Sequence, residues 1–153
     1  MIIEAFMQFI AAAVGTFGFS VLFRVPEKYY LDCSLIGGAG WLVCWTLDNG
    51  VHTWTFLATL LATLFVTLAS RLWAAKRKSP ATMFLLPAIF PLVPGVGIYK
   101  TVYYLIMDEM ELGVENGRTA FAAAVAIVIG IMCAYEVPQR DINKIFSFFA
   151  KEM

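Results

Sequence analysis

The sequence predicts an all-α integral membrane protein with about five transmembrane helices, of which the fourth is broken near its middle. Of its 153 residues, 61% are hydrophobic and 14% are charged, whereas about a quarter of the residues of a soluble domain are charged. Several apolar runs reach the ~20 residues that a helix needs to cross a ~30 Å hydrocarbon core. The formal net charge is zero, which gives no reason to expect nucleic acid as a partner. The expected surroundings are the lipid bilayer of the cell membrane.

Five apolar spans, joined by short connections, form one transmembrane domain over residues 1–137. The spans cover residues 2–23, 31–47, 54–73, 83–107 and 119–137. In the cytoplasmic tail that follows, residues 138–153, four apolar residues recur at the spacing of one helix face, namely Ile142, Ile145, Phe146 and Phe149. This pattern predicts a short amphipathic helix, which either lies on the cytoplasmic membrane surface or docks on a partner.

The distribution of lysine and arginine predicts an external N-terminus and an internal C-terminus. Nine of the 11 basic residues lie after the first span, at or after the end of the third span, or in the tail. They are Arg24, Lys28, Arg71, Lys76, Arg77, Lys78, Arg140, Lys144 and Lys151. The opposite connections hold only Arg118, and Lys100 lies within the fourth span. Because cytoplasmic loops are enriched in basic residues, this split indicates that the fourth span crosses once despite its break. It also makes the acidic segment 108–115 an external loop.

The break in the fourth span lies within the segment FPLVPGVGIY, residues 90–99, and we place it at Pro91–Gly97. Proline lacks an N–H and clashes with the carbonyl four residues earlier, so the three prolines of this span release backbone carbonyls from helical hydrogen bonds. The two glycines permit a positive φ and a close backbone approach. These residues predict two half-helices joined by an unwound turn, with the second half beginning near Gly97.

Such a break is expected to be a binding site, or else a kink that serves packing alone. Unpaired backbone persists at membrane depth where it is buried in protein or lines a wet cavity, and broken helices at the midplane recur in transporters. The N-terminus of the second half suits a carboxylate, and freed carbonyls suit an ammonium. We therefore expect a small amino or carboxylic acid to bind here. The residues predicted to line its path are Phe90, Pro91, Pro94, Gly95, Gly97, Tyr99, Lys100, Thr101 and Tyr103.

Two charged residues have alternative interpretations. Lys100 lies near the bilayer midplane, where a lysine is costly and indicates function by default; the alternative is that it snorkels outward or pairs with an acid. Asp32 lies at the cytoplasmic start of the second span. It is either a helix N-cap or interface residue, or an acid that couples transport to protons.

Small residues mark the helix faces that are expected to pack closely. One set recurs every four residues along the fifth span and another lies in the second span: Ala122, Ala126, Gly130 and Ala134, with Gly37, Gly38 and Gly40. Small residues at this spacing let helix backbones approach each other in membranes. The contacts are either internal or between subunits, and we expect some of each.

No cofactor or metal is expected. The three cysteines, Cys33, Cys44 and Cys133, lie within apolar runs at spacings that match no disulfide framework or metal site. The sequence has a single histidine, His52, so a histidine-based metal site or triad within the chain is not expected.

The segment PLVPGVGIYKTVYYLI resembles the signature of the threonine/serine exporter family, specifically that of its small membrane component. That family shows the pattern P-x-x-P-G-x-x-x-Y in its penultimate helix, matched here by Pro91, Pro94, Gly95 and Tyr99. GFSVLFRVP at the end of the first span, LIGGAG in the second and the basic segment before the fourth are also similar. The resemblance covers nearly the whole chain.

The resemblance implies an obligate partner. Members of this family are either long chains with both membrane halves or split pairs of a larger and a smaller protein, and this chain resembles the smaller one. The implied partner is the larger membrane subunit. Family substrates are threonine and serine, or in some split pairs a dicarboxylate such as succinate, and export is thought to use the proton gradient. The resemblance assigns neither a substrate nor a coupling acid to this chain.

The leading hypothesis is therefore a subunit of a secondary transporter that exports small amino or carboxylic acids. The alternative is a membrane scaffold that carries no pathway itself and stabilises a partner that does. An intramembrane enzyme is the weakest of the three, because the sequence contains neither an HExxH nor a GxSxG motif. Assembly of the chain as a homo-oligomer also stays open.

Overall fold

The computed structural model of the chain describes residues 2–49 and 54–139, and every regular element in these ranges is helical, as predicted. The helices are α1 (Ile2–Leu22), α2 (Tyr30–Asn49), α3 (Thr55–Arg77), α4 (Ala81–Ile89), α5 (Gly95–Ile106) and α6 (Met110–Glu136). Short 3-10 turns cover Glu27–Tyr29 and Phe90–Leu92. The predicted amphipathic tail helix lies mostly at residues 140–153, outside the described residues.

Among the described residues, three helices, α1, α3 and α6, are long and apolar enough to cross a membrane, and the α4–α5 pair adds a fourth crossing if its two parts form one broken span. Helix α2 is 20 residues long but falls short of the same apolarity, since it carries glycines and the two acids Asp32 and Asp48. The predicted count of five spans therefore stays a prediction. The position of α2 explains its composition. Because α2 packs against α1, α3 and α4, small residues that allow close packing suit it better than the large apolar residues of a helix that faces lipid.

Glycines of α2 set its distance from two neighbours. A Cβ atom on Gly37 would lie 2.2 Å from Thr16 Oγ1 of α1, and one on Gly40 would lie 2.1 Å from Val66 Cγ2 of α3. A Cβ atom on Gly38 would lie 2.9 Å from Phe9 Cε2 of α1. Thr16 is itself fully buried and donates its hydroxyl hydrogen to the carbonyl of Ala12. The helices touch backbone to side chain at these points, and a larger residue at any of the three glycines would push them apart.

Helix α3 buries a stripe of polar side chains that the sequence interpretation missed. Thr59, Thr63, Thr67 and Arg71 recur every four residues, and all four are buried. The stripe packs in part on α6, where a Cβ on Gly130 would lie 2.9 Å from Thr63 Cβ. Within α6, Ala126, Gly130 and Ala134 are buried and Ala122 is partly buried.

Helix α6 begins at Met110, nine residues before the predicted start of the fifth span. The prediction of a loop over 108–115 was therefore wrong for most of that segment, while its external position stays a prediction. The turn between α5 and α6 is short, and Asp108 adopts a left-handed conformation there (φ 63°). Gly113 and Gly117 account for the longer helix because they let it lie against α5. A Cβ atom at Gly113 would lie 3.0 Å from Leu105 Cδ2, and one at Gly117 would lie 3.1 Å from Thr101 Cγ2.

Basic segments from two connections meet at one end of the bundle, which we call the basic end. The Tyr29 hydroxyl and the Ser79 hydroxyl are hydrogen-bonded at 2.9 Å, and Arg77 Nη2 lies 2.9 Å from Asp32 Oδ2. The bond with Ser79, and the nearby charges of Lys28 and Arg77, lower the pKa of the Tyr29 hydroxyl against the opposing effect of burial. This meeting agrees with the predicted distribution of basic loops, while the orientation of the bundle in a membrane stays a prediction.

Candidate functional site

The first half of the broken span stays helical through its first proline. Helix α4 continues past Pro87 to Ile89, and Pro87 is buried within it. Because proline has no N–H to donate, the carbonyl of Met83 is released from its helical hydrogen bond. The Cys33 thiol of α2 donates to that carbonyl at 3.8 Å. A side chain of the neighbouring helix thus hydrogen-bonds to one of the carbonyls that were predicted to be free.

The break lies at Phe90–Pro94, so it begins one residue earlier and ends three residues earlier than predicted. Helix α5 begins at Gly95, two residues before the predicted start near Gly97. Val93 is extended (φ −66°, ψ 129°), because the ring of a following proline disfavours the helical conformation of the residue before it. The two parts of the span are bent by 45°. The carbonyl of Phe90 accepts a hydrogen bond from the Val93 N–H at 3.1 Å, inside the break.

The glycines contribute less to the break than predicted. No described glycine has a positive φ, so the prolines account for the change of direction without a left-handed glycine. Gly97 allows a close approach, since a Cβ there would lie 3.1 Å from the Cβ of Ala120 in α6. A Cβ on Gly95 would meet nothing within 4 Å.

Phe90 packs within the protein. Its ring stacks on that of Phe19 with 4.2 Å between centroids and lies 5.2 Å from that of Phe23, both near the end of α1. Pro91 and Pro94 are half-buried beside it. This aromatic cluster fixes the broken segment against α1, so Phe90 has a packing role and in this arrangement does not face an open path.

Helix α5 uses one face for contact with α6 and leaves the other uncovered. Gly97 and Thr101 lie on the contact face, where the Thr101 hydroxyl donates to the Gly97 carbonyl at 2.7 Å. No residue of α5 is buried. The uncovered face carries an exposed set that we call the α5 stripe: Val96, Tyr99, Val102, Tyr103 and Ile106.

Lys100 lies beside the α5 stripe. Its side chain is exposed and makes no ion pair or hydrogen bond with another residue of the described ranges. On the same helix, the rings of Tyr99 and Tyr103 stack on each other with 6.2 Å between centroids. An ammonium and two phenol hydroxyls exposed on one helix suit a carboxylate or another oxygen-rich group.

The nine predicted path residues thus separate into two groups. Some pack against neighbouring helices, namely Phe90, Gly97 and Thr101, with Pro91 and Pro94 half-buried at the break. The others are exposed on α5, namely Gly95, Tyr99, Lys100 and Tyr103. The structure therefore does not gather all nine around one cavity within this chain.

Asp32, predicted as an N-cap, an interface residue or a coupling acid, lies in the first turn of α2 and pairs with Arg77. Nη2 of Arg77 also donates to Asp32 Oδ1 at 3.2 Å, so one nitrogen lies between the two carboxylate oxygens. The pair connects the start of α2 to the end of α3. This contact gives Asp32 a structural role.

Two further features were missed at the sequence level, although each left a signal. Gly113 and Gly117 form a small-residue pair four positions apart, but they were assigned to a loop because of the acids around them. The threonines that precede Arg71 recur every four residues along α3. Arg71 itself was counted only as a marker of membrane orientation.

Comparison with known proteins identifies one family. The sequence model of a family described as Threonine/Serine exporter, ThrE, matches residues 8–137. The match includes the broken span and reaches from α1 to the end of α6. No solved structure matches the chain.

Proposed function

This chain belongs to the threonine/serine exporter family, and we propose that it is one membrane subunit of a secondary transporter whose pathway passes along the α5 stripe. The solute is a small amino acid such as threonine or serine, or a small carboxylic acid. A larger membrane subunit of the same family covers the stripe and completes the path. The observation that carries this proposal is the exposure of Tyr99, Lys100 and Tyr103 on a helix with no buried residue.

The depth of Lys100 supports this proposal. If residues 81–106 form one broken span, Lys100 lies six to seven residues beyond its middle, which is about 10 Å along a helix. A lysine that faces lipid costs about 2.5 kcal/mol or more at the centre of a membrane helix and less towards its ends, where the side chain can snorkel. A position between the centre and the end therefore favours a Lys100 side chain that faces protein or a water-filled path. Since α6 covers only the opposite face of α5, the partner or the path has to lie on the side of the α5 stripe.

The start of α5 supplies a second group for the solute. Pro94 precedes the helix and makes no side-chain cap, so the first N–H groups of α5 have no capping side chain. The N-terminus of a helix carries a partial positive charge and attracts carboxylates. Lys100 lies between one and two turns further along the same helix. A solute carboxylate that leaves the helix N-terminus would reach the ammonium next.

Export from cells that contain both subunits tests this proposal. Replacement of Lys100 by methionine keeps most of the length of the side chain and removes the charge, and we expect threonine or serine export to fall to the background of cells without the chain. The same change at Lys76, which is exposed at the basic end, is the matched control and should leave export intact. Normal export by the Lys100→Met variant would contradict the proposed path.

The scaffold role is the second candidate, and the absence of any buried residue in α5 also suits it, because a face used only for docking would look the same. Tyr99→Phe distinguishes the two functions. It removes a hydroxyl and keeps the ring that packs on Tyr103. A scaffold would tolerate both Tyr99→Phe and Lys100→Met with full export, whereas a path lined by these groups would not.

A further inference from the structure

A cleft opens at the basic end of the bundle. Its volume is about 520 Å³, and its walls come from the end of α3, the start of α4 and the residues after α6. The lining includes Arg71, Lys78 and Gln139 together with small residues, Ala74, Ala75 and Ala81. The small residues leave room beside the charged ones.

Arg71 is a buried cation at this cleft. Its side chain is only 7% exposed. Nη1 donates to the carbonyl of Ala134, near the end of α6, and Nη2 donates to Gln139 Oε1 at 3.1 Å. The guanidinium also lies over the ring of Tyr135 at 5.2 Å. All of these partners are neutral, and no carboxylate of the described residues pairs with Arg71.

A neutral environment does not balance the charge of Arg71. Burial of a cation costs several kcal/mol unless an anion compensates for it, and the end of a helix supplies only about half an elementary charge. A guanidinium has five N–H donors, of which two are used by Ala134 and Gln139. The side chain therefore has both charge and donors left for an oxyanion in the cleft.

Two neighbouring groups favour the same kind of ligand. Lys78 lines the cleft with an exposed ammonium-bearing side chain. The N-terminus of α4 also borders it, and its N-cap residue Pro80 makes no side-chain cap. Three positive groups on one cleft with no described acid in its lining select an anion.

The depth of Arg71 favours a small soluble anion over a lipid headgroup. Arg71 lies seven residues before Lys78, the residue that follows α3, which is about 10 Å along the helix axis. Lys78 is exposed at the end of the helix, and Arg71 is buried. A phosphate at the membrane surface would lie at the level of Lys78, whereas a molecule of the size of threonine can enter the cleft and reach Arg71.

We propose that this cleft is an entry site that holds the carboxylate of the solute through Arg71, with Lys78 at its mouth. The proposal rests on the proposed function only in taking the solute to be a small carboxylate. It adds a second binding site, at the opposite end of the broken span from Lys100. On the predicted orientation the cleft faces the cytoplasm, from which an exported solute has to enter.

Protection of a cysteine in the cleft wall tests the proposal in membranes that contain the whole chain and its partner. The three native cysteines are replaced by alanine, and Ala75→Cys supplies an exposed thiol in the lining. L-threonine or succinate should slow its labelling by a polar maleimide several-fold, and threonine amide, which lacks the carboxylate, should not. Lys76→Cys, exposed and next in sequence but absent from the lining, is the control and should show no protection.

The variant Arg71→Gln should abolish protection of Ala75→Cys while the labelling of Lys76→Cys stays the same, which shows that the end of the helix is still folded. If that variant fails to reach the membrane, Lys78→Gln at the mouth replaces it and should weaken protection. No protection by either carboxylate, or equal protection by threonine amide, would overturn the proposal. So would protection that appears without solute when phosphatidylglycerol is added to phosphatidylcholine liposomes. Export that persists without any protection would refute this site and leave the proposed function standing.

Discussion

At the scale of single residues, the contact between Gly37 and Thr16 has the least room of those between α1 and α2. Three atoms of the Thr16 side chain lie within 2.9 Å of the position a Cβ on Gly37 would take. Thr16 is fully buried, and as a β-branched residue it has few rotamers with which to move away. Even one methyl group therefore has to separate the two helices.

We expect Gly37→Ala to destabilise the folded chain by about 1–3 kcal/mol, the usual cost of overpacking. Gly18→Ala is the matched control, because Gly18 lies in α1 with nothing near its Cβ position, and alanine favours a helix over glycine by about 1 kcal/mol. Thermal unfolding in mild detergent should show a lower midpoint for Gly37→Ala and an equal or higher one for Gly18→Ala. Equal midpoints for Gly37→Ala and the unchanged chain would mean that α1 and α2 are further apart than described.

Asp32 poses a second question at this scale, because its pairing with Arg77 is compatible with a structural role and with coupling to protons. Arg77→Gln and Asp32→Asn both break the pair, but only Asp32→Asn removes the acid. If Asp32 couples transport to protons, export by Asp32→Asn should no longer respond to an imposed pH gradient, while Arg77→Gln should still respond. The same response in both variants would leave Asp32 with its structural role alone.

At the scale of the elements, the chain shows which sequence signals are sufficient and which are not. The prolines of the broken span predicted a break because their steric effect is local, and Val93 is extended because Pro94 follows it. The early start of α6 was missed because it depends on which helix lies opposite. Gly113 and Gly117 can be explained only by their contact with α5. The polar stripe of α3 and the position of Arg71 likewise depend on neighbours that periodicity alone does not identify.

The bend between α4 and α5 should depend on Pro94 and not on Pro87, since α4 remains helical through Pro87. In Pro94→Ala, Val93 is free to adopt a helical conformation, so α4 and α5 can join and the bend of 45° should change. Spin labels at Leu86→Cys and Ile106→Cys, both exposed, report this as a shifted distance distribution in a background without native cysteines. Pro87→Ala should leave the distribution unchanged. A shifted distance distribution in Pro87→Ala alone would mean that the bend depends on Pro87 and not on Pro94.

At the scale of the whole molecule, the two proposed sites lie towards opposite ends of the broken span. Arg71 and the N-terminus of α4 belong to the basic end, and Lys100 lies beyond the break on α5. If both proposals hold, the path has a charged group near each end, and this chain supplies one of its walls.

The other wall gives a prediction about assembly. Val96 in the α5 stripe and Phe121 on α6 are 69% and 72% exposed, so each accepts a tryptophan without disturbing the chain itself. Lipid tolerates tryptophan at either position, whereas a closely packed partner does not. If the larger subunit covers the α5 stripe, Val96→Trp should reduce the amount of the larger subunit that co-purifies with the tagged chain in mild detergent, and Phe121→Trp should leave that amount unchanged.

Loss of the larger subunit with Phe121→Trp alone would mean that the interface lies on α6. Full co-purification with both variants would mean that the α5 stripe faces lipid, and that Lys100 reaches a carboxylate or water by extending along its own helix.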